Sequence, residues 1–118
     1  MLRLFLGDAV ANCTAIEDAL GVLGRAWAGA VLSAMLGGAE RFSEIKRAAP
    51  GVSDAVLTAR LRELCARGFA VRHVDAGPPV GVRYALTDLG RDTRPVLEAL
   101  ERFGREHADE LGARGAGR

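Results

Sequence analysis

The sequence predicts a mainly α-helical fold with one small β-hairpin, arranged as a winged helix-turn-helix. Three observations lead to this prediction. Apolar residues recur at helical spacing in several successive segments. Glycines and prolines separate these segments and therefore place turns between them. Within residues 69–86, two short alternating segments flank a stretch rich in Gly and Pro, as in a hairpin.

The length of 118 residues predicts one domain with a single core. We assign residues 13–107 to this domain and residues 108–118 to a C-terminal tail. Residues 1–12 lack a clear period and are assigned to an N-terminal arm, with the start of the first helix as the alternative. No stretch approaches the roughly 20 apolar residues of a membrane span or has the layout of a secretory signal. We therefore expect a cytoplasmic protein without a membrane partner.

Residues that commonly support catalysis or metal binding are sparse. Cys13 and Cys65 lie far apart with no second pair, so the sequence has neither a disulfide framework nor a zinc-binding spacing. His73 and His107 are the only histidines, and neither is spaced to bind a metal or to pair with a nucleophile. We therefore predict no enzyme activity, no metal site and no cofactor.

The net charge of +1 hides an uneven distribution along the chain. Residues 1–40 carry a net charge of −2 and residues 84–118 carry −1, whereas residues 41–83 hold eight basic and four acidic side chains. This positive excess coincides with the helix-turn-helix and the hairpin, as expected for a surface that binds phosphate. A solvated charged surface is the alternative, but it would spread the charge more evenly.

The first two predicted helices have different patterns. Helix one begins at Cys13 and carries an apolar stripe at helical spacing. The stripe consists of Ile16, Leu20 and Leu23. Residues 27–36 follow with almost no polar side chain, and a helix that is apolar nearly all round is buried, so this segment should form the centre of the domain. Trp27 is expected to join this core, with the wall of a ligand pocket as the alternative.

The third helix is expected to begin at Ser43, which is a good N-cap residue. Arg41 and Phe42 should form a short strand before it, and Glu44 is favourable in its first turn beside the helix dipole. The helix must end before Pro50, because the residue preceding a proline is disfavoured in the α conformation.

The fourth helix has the clearest limits. Ser53 is a favourable N-cap, and Gly68 suits the left-handed position that follows a helix C-terminus. Leu57, Leu61 and Leu64 recur at helical spacing and should pack into the core. The opposite face is small, mildly polar and nearly uncharged, which suits close approach to another surface. It comprises Ala55, Thr58, Ala59, Arg62 and Ala66.

Residues 69–74 and 82–86 alternate between apolar and polar side chains, which predicts two strands. Residues 77–81 contain two glycines and two prolines, so they should form the tip of a wing.

Thr87 is expected to cap a long final helix that is kinked at Pro95. The apolar stripe of this helix is too long for one small domain to bury, so we expect a homodimer formed by this helix and helix one. The stripe consists of Leu89, Thr93, Val96, Leu100, Phe103 and His107. The predicted dimerisation residues are Ile16, Leu20, Val96, Leu100 and Phe103.

Over residues 13–107, about four fifths of its length, the chain resembles HxlR-type transcription regulators, which are dimeric winged helix-turn-helix proteins related to the MarR group. The residues that carry the resemblance are Cys13, Glu17, Ala19, Leu20, Gly24, Trp27, the run RFSEIKRAAPGVSDAVLTARLREL at residues 41–64, Gly68, and YALTDLG at residues 84–90. The resemblance implies a dimer joined through terminal helices, with residues 54–67 as the recognition helix.

The function expected from this resemblance is a dimeric, sequence-specific DNA-binding transcription regulator. We expect a repressor that binds an inverted-repeat operator in double-stranded DNA and responds to a thiol-reactive or small-molecule signal. Ala26, Ala55 and Gly81 stand where the family often has basic residues, and each missing cation removes a phosphate contact. These departures leave an alternative, a winged-helix module that binds a ligand or a protein and has weakened DNA binding.

Arg62 is the best candidate for base readout, because one guanidinium can bond guanine O6 and N7 together. Thr58 could bond a base edge, whereas Ala55 and Ala59 could only contact methyl groups. Arg60 lies nearer the buried stripe and either anchors neighbouring backbone or binds a phosphate. The other cations are phosphate candidates, with a solvated surface as the alternative. The predicted DNA-binding set is Arg41, Lys46, Ser53, Ala55, Thr58, Ala59, Arg60, Arg62, Arg72 and Arg83.

Cys13 lies at the start of helix one in this prediction. The positive end of a helix dipole favours a thiolate, which is the form that reacts with oxidants and electrophiles. Some HxlR-type regulators sense oxidants or quinones through the matching cysteine, so the resemblance implies a redox-sensing role for Cys13. A small, half-buried residue is the alternative. Cys65 lies beside the apolar stripe of the fourth helix and is expected in the core.

Overall fold

The computed structural model describes residues 2–113 of the chain, and the side chains of residues 13–112. The elements are α1 (Leu2–Leu23), α2 (Ala28–Leu36), α3 (Phe42–Ala48), α4 (Asp54–Ala66), β1 (Ala70–Val74), β2 (Val82–Leu86), α5 (Asp88–Arg91) and α6 (Arg94–Glu106). A π-helical turn, Asp109–Ala113, follows α6. The two strands pair antiparallel, with Ala70 opposite Leu86 and Val74 opposite Val82. This architecture confirms the predicted mainly helical fold with a two-stranded wing.

α2 lies in the buried core, as its almost uninterrupted apolar sequence predicts. Val31 and Leu32 are fully buried and share one cluster with Ile45 of α3 and Leu57 of α4. No described helix alone has the length and apolar composition of a membrane span. The segments Cys13–Leu23 and Ala28–Leu36, bent by 78° where they meet, match such a span together on length and composition only.

Trp27 does not lie in the core, so that prediction is wrong. This residue immediately precedes α2 in a left-handed backbone conformation, with φ of 70°, and it is 39% exposed. The indole ring contacts the turn after α3, where a Cβ built on Gly51 would lie 3.3 Å from Trp27 Cη2. Because α2 begins only at Ala28, the ring is held against this turn instead of inside the helix packing.

α1 begins at Leu2, whereas the sequence placed the start of the first helix at Cys13. The backbone of residues 2–12 therefore belongs to α1, which favours the alternative to the predicted N-terminal arm. The side chains of that segment lie outside the described residues. Cys13 follows the first residue of α1 by about three turns, so its predicted position at a helix N-terminus is wrong. The dipole argument for its reactivity no longer applies.

Arg41 and Phe42 do not form the predicted strand, because Phe42 already begins α3 and Arg41 is its N-cap residue. The carboxylate of Glu44 explains the earlier start. It accepts the backbone N–H groups of Glu40 and Arg41, each at 3.0 Å, and so satisfies donors at the helix N-terminus. The predicted N-cap Ser43 therefore lies inside the first turn. The carbonyl of Glu40 accepts the Tyr84 N–H at 2.8 Å, which joins this segment to β2.

The predicted single final helix is divided into α5 and α6. Thr87 caps α5 as predicted, since its Oγ1 accepts the Gly90 N–H at 3.1 Å. Pro95 lies in the first turn of α6, where its missing N–H needs no partner within the helix, so it begins a new helix instead of kinking one. The buried Thr93 hydroxyl donates to the Gly90 carbonyl at 2.6 Å and closes the turn between the two helices.

Candidate nucleic-acid interface

α4 presents its large apolar and its small residues on different faces. Leu57, Leu61 and Leu64 are buried, as predicted. The exposed face carries Ala55, Ala59, Arg62 and Ala66. Ser53 Oγ accepts the Val56 N–H at 3.2 Å, so this hydroxyl caps α4 as its sequence position predicts. The exposed face can approach another surface closely, with the Arg62 guanidinium as its charged group.

The predicted phosphate-binding cations differ in whether they are already paired. Arg62 and Arg72 form no ion pair with any residue that the structure describes. The paired cations are Arg41, Lys46, Arg60 and Arg83. Lys46 reaches Asp54 across the turn between α3 and α4. A paired cation must leave its carboxylate to contact a phosphate, so Arg62 and Arg72 are the most available of the set.

Arg60 fits the anchoring interpretation better than the phosphate-binding one. Its side chain is only 12% exposed, and its Nη1 lies 3.5 Å from Glu63 Oε1. Glu63 also accepts a hydrogen bond from Arg25 Nη1 at 2.9 Å. Glu63 therefore joins α4 to the segment between α1 and α2, and Arg60 holds Glu63 from within α4.

Asp75, at the end of β1, holds two of the predicted DNA-binding arginines at the wing. Its carboxylate accepts hydrogen bonds from Arg41 Nη1 at 3.1 Å and from Arg83 Nε at 3.2 Å. Arg41 Nη1 also donates to the Val82 carbonyl at 3.3 Å. The hydrogen bond from Arg41, followed by that from Arg83, lowers the pKa of Asp75 below its ordinary value. Together these contacts join the base of the wing to the start of α3.

At Gly81 the resemblance led us to expect a basic residue, and the structure gives a reason for glycine in this chain. A Cβ at this position would lie 2.7 Å from Arg41 Nη1 and 3.1 Å from Asp75 Oδ2. The absence of a side chain at Gly81 therefore leaves room for the Arg41–Asp75 ion pair.

A cleft of about 420 Å³ lies between α4 and the hairpin. Its walls combine one apolar side chain, a thiol, a phenol, a hydroxyl and two guanidinium groups. The lining residues are Thr58, Leu61, Arg62, Cys65, Arg72 and Tyr84. Both unpaired cations of the predicted DNA-binding set therefore meet here.

The two cysteines lie in different environments. Cys13 is exposed, and Cys65 is half-buried against the core, close to its predicted position. Burial raises the pKa of the Cys65 thiol, and the charge of Arg72 lowers the same pKa by less. Burial therefore disfavours the thiolate form of Cys65.

The predicted dimerisation residues are exposed in the single chain. Ile16 and Leu20 of α1 are 55% and 47% exposed. The corresponding residues of α6, at 44–54% exposure, are Val96, Leu100 and Phe103. The ring of Phe103 packs on that of His107, with centroids 4.7 Å apart. These faces leave large apolar side chains uncovered at helical spacing.

Within the described residues, no group of three or more His, Cys, Asp or Glu side chains could hold a metal ion.

Sequence reasoning missed Asp75 and Glu63, which each bind two arginines. The sequence could have indicated a role for Asp75, because it is the only acidic residue between Gly68 and Leu86. The pairing of Glu63 with Arg25 could not be predicted in this way, since Arg25 lies in a distant segment of the sequence.

Comparison with known proteins gives a consistent result. A family model described as HxlR-like helix-turn-helix matches residues 22–111. The chain is 36% identical over 97 residues to the uncharacterised HTH-type transcriptional regulator YvaP of Bacillus subtilis (strain 168), covering 82% of this chain and 90% of YvaP.

Solved structures show the same similarity. The redox regulator HypR in its reduced form superposes with a TM-score of 0.74 at 35% identity, covering 83% of this chain and 97% of HypR. Diamide-treated YodB from B. subtilis superposes with a TM-score of 0.65 at 31% identity, covering 76% of this chain and 89% of YodB.

Proposed function

This chain belongs to the HxlR-like helix-turn-helix family of transcription regulators, and on that premise we propose that it is a dimeric repressor that binds a specific DNA sequence through α4. The observation that carries the proposal is the exposed face of α4. Three alanines surround the Arg62 guanidinium on that face, and they permit close approach to the floor of a major groove. The exposed carboxylate at the start of α4, Asp54, is paired with Lys46.

The homodimer is supported by the exposed apolar faces of α1 and α6. Large apolar side chains at successive helical turns are costly to leave in water, and a second copy of the chain would cover them. A symmetric dimer presents two α4 helices about 34 Å apart, which matches two half-sites one DNA turn apart. The operator is then an inverted repeat.

The signal is proposed to act on Cys13. Its thiol is exposed, and it lies on the same side of α1 as Ile16 and Leu20, because the three residues recur at helical spacing. The Cys13 thiol would add to a C=C bond of a quinone. The S–H bond and the C=C π bond break, a carbon–sulfur bond forms, and the proton passes to the quinone, which leaves a hydroquinone thioether at the proposed dimer contact. The resulting change in dimer geometry would alter the spacing of the two α4 helices.

A second candidate function is favoured by the ion pairs of the predicted phosphate-binding residues. Arg41 and Arg83 are both held by Asp75, and Lys46 is held by Asp54. A winged-helix module that binds a ligand or a protein, and has weakened DNA binding, would tolerate this loss of free cations.

Electrophoretic titration with the DNA upstream of the protein's own gene separates the two candidates. The proposed repressor binds this DNA more tightly than a scrambled duplex of the same length and composition. Equal affinity for both duplexes would favour the binding module.

A further inference from the structure

We propose that the bend between α1 and α2, residues 24–27, fixes the direction of α4, and that Arg25 is the positioning residue that does this through Glu63. This role rests on the proposed function, because it concerns the spacing of the two α4 helices in a dimer.

The bend has a defined backbone. The Arg25 N–H donates to the Val22 carbonyl at 3.4 Å, and the Ala28 N–H donates to the Arg25 carbonyl at 3.0 Å. Trp27 adopts a left-handed conformation that is uncommon for a residue with a side chain. The side chains of Arg25 and Trp27 therefore extend from a turn that is closed by hydrogen bonds at both ends.

Both side chains reach the helix-turn-helix, at two separate places. The ring of Trp27 contacts the turn before α4, where a Cβ built on Gly51 would lie 3.3 Å from Trp27 Cη2. Arg25 Nη1 donates to Glu63 Oε2 at 2.9 Å, in the third turn of α4. Glu63 lies nine residues after Asp54, the first residue of α4, which is about 14 Å along a helix. Two contacts this far apart fix the direction of a helix, whereas one contact leaves it able to pivot.

The carboxylate of Glu63 is suited to this contact. An ion pair between two fully exposed side chains contributes little, because water screens the charges. The Glu63 side chain is only 22% exposed, and Arg60 Nη1 lies 3.5 Å from its other carboxylate oxygen. Rotation of Glu63 away from Arg25 would also disturb its contact with Arg60. Arg25 itself is 51% exposed, so it can be replaced without opening the core.

The direction of α4 matters for DNA in two ways. Glu63 directly follows Arg62, the proposed base-reading residue, so a displacement at Glu63 also displaces Arg62. The bend also continues from α1, whose exposed apolar face is part of the proposed dimer contact. In a symmetric dimer, the bend of each copy then sets the distance between the two α4 helices. Without the Arg25 contact, each α4 would pivot, and the dimer would accept half-sites at the wrong spacing.

A direct phosphate contact by Arg25 is the competing role, and it has different consequences. Loss of a phosphate contact weakens binding to all sequences about equally and lowers the slope of log affinity against log salt by about one. It does not change which spacing of half-sites is preferred.

The positioning role is tested with the full chain and the operator in the DNA upstream of its own gene. The second duplex is the same operator with one base pair inserted between the half-sites, which moves one half-site by about 3.4 Å and rotates it by about 34°. The wild-type protein should bind the inserted operator at least about tenfold more weakly, as for one mismatched base pair. Arg25→Gln should bind the original operator more weakly and reduce the difference to about threefold or less.

Three variants separate positioning from charge. Arg67→Gln is the matched control, since Arg67 is an exposed cation at the end of α4 without an ion pair among the described residues, and it should keep the spacing preference. Arg25→Lys keeps a donor for Glu63 and should retain most of the preference. Glu63→Gln removes a negative charge, which would tighten binding to all DNA if charge alone mattered, but it should lose the spacing preference as Arg25→Gln does. Thermal unfolding of each variant establishes that it is folded at the assay temperature.

The positioning role is overturned if Arg25→Gln keeps the full spacing preference, or if it weakens all duplexes alike and lowers the salt slope by about one. Equal loss of the preference in Arg67→Gln also overturns it. In each of these cases the proposed regulator function stands. If the wild-type protein does not distinguish the upstream DNA from a scrambled duplex, the regulator function fails, and the positioning role fails with it.

Discussion

The Arg62 guanidinium is the charged group that α4 presents among small neighbours, and it is available because no described carboxylate holds it. We predict that Arg62→Ala weakens binding to the operator by roughly 1–3 kcal/mol and relaxes the preference at one base position. Affinities for a panel of operators, each changed at one base pair, measure both effects. Arg67→Ala should keep the base preference. Equal loss on every sequence would remove Arg62 from the base-reading role.

The two thiols should differ in reactivity because they differ in exposure. Cys13 is exposed, whereas burial raises the pKa of the Cys65 thiol and so disfavours the reactive thiolate. We predict that mass spectrometry after brief quinone treatment finds Cys13 modified first. Cys13→Ser should retain DNA binding and lose the response to the quinone. Earlier modification of Cys65, or release of DNA by the treated Cys13→Ser protein, would contradict the proposed role of Cys13.

At the wing, the carboxylate of Asp75 holds two arginines. We predict that Asp75→Asn frees Arg41 and Arg83 for phosphate contact and makes DNA binding more salt-dependent for all sequences. Adding Arg83→Ala to Asp75→Asn should remove one of the freed cations and lower the slope of log affinity against log salt by about one. Filter binding at several salt concentrations measures both slopes. A slope that is the same in both variants would show that the wing does not contact DNA.

The same carboxylate makes the stability of the wing depend on pH. The pKa of Asp75 is lower in the folded protein than its ordinary value of 3.8, so the contacts with Arg41 and Arg83 stabilise the fold above this pH. The stabilisation is lost as the pH falls through the lowered pKa. Urea unfolding should show that the stability lost in Asp75→Asn shrinks below pH 3.8. Asp92→Asn, at an exposed residue without an ion pair among the described residues, is the matched control. A constant difference across this range would refute the linkage.

The junction between the wing and α5 depends on Gly90. A Cβ there would lie 2.1 Å from the Phe69 carbonyl oxygen and 2.9 Å from Leu86 Cδ2. We predict that Gly90→Ala destabilises the protein by about 1–3 kcal/mol, because rigid backbone must move. Gly21→Ala is the control, since nothing lies within 4 Å of a Cβ at that position of α1. Thermal unfolding that moves equally in the two variants would contradict this explanation.

The sequence predicted the end of a helix or strand correctly where a single residue at that end determines it. Ser53, Gly68 and Thr87 mark element ends through their own backbone or hydroxyl, and the structure confirms each. The start of α3 was wrong because Glu44 binds two backbone groups and extends the helix, which periodicity does not reveal. The start of α1 was missed because residues 1–12 have no amphipathic period.

Which of the predicted binding residues are already paired depends on contacts between segments that lie far apart in the sequence. The charge excess in residues 41–83 located the interface region, but it did not show which cations were already paired. Asp75 and Arg41 are 34 positions apart, and Arg25 and Glu63 are 38 apart. No local pattern specifies such pairs, so the distinction between the free Arg62 and the held Arg41 required the structure.

On the scale of the whole molecule, the uncovered faces of α1 and α6 predict association. We expect sedimentation to show a dimer, with Phe103→Asp shifting it towards the monomer because a charge would be placed in the contact. Val80→Asp is the control, since Val80 is an exposed apolar residue at the wing, away from these faces. A wild-type monomer at micromolar concentration, or an unchanged dimer in Phe103→Asp, would contradict the proposed contact.

The central claim is that two copies of the chain read DNA through α4, and a hydroxyl-radical footprint on the DNA upstream of the protein's own gene tests it most directly. We predict two protected patches on an inverted repeat, with centres about 34 Å apart, or one helical turn. Arg62→Ala should lose this pattern at protein concentrations where Arg67→Ala retains it. Uniform, weak protection without paired half-sites, unchanged by Arg62→Ala, would contradict the claim.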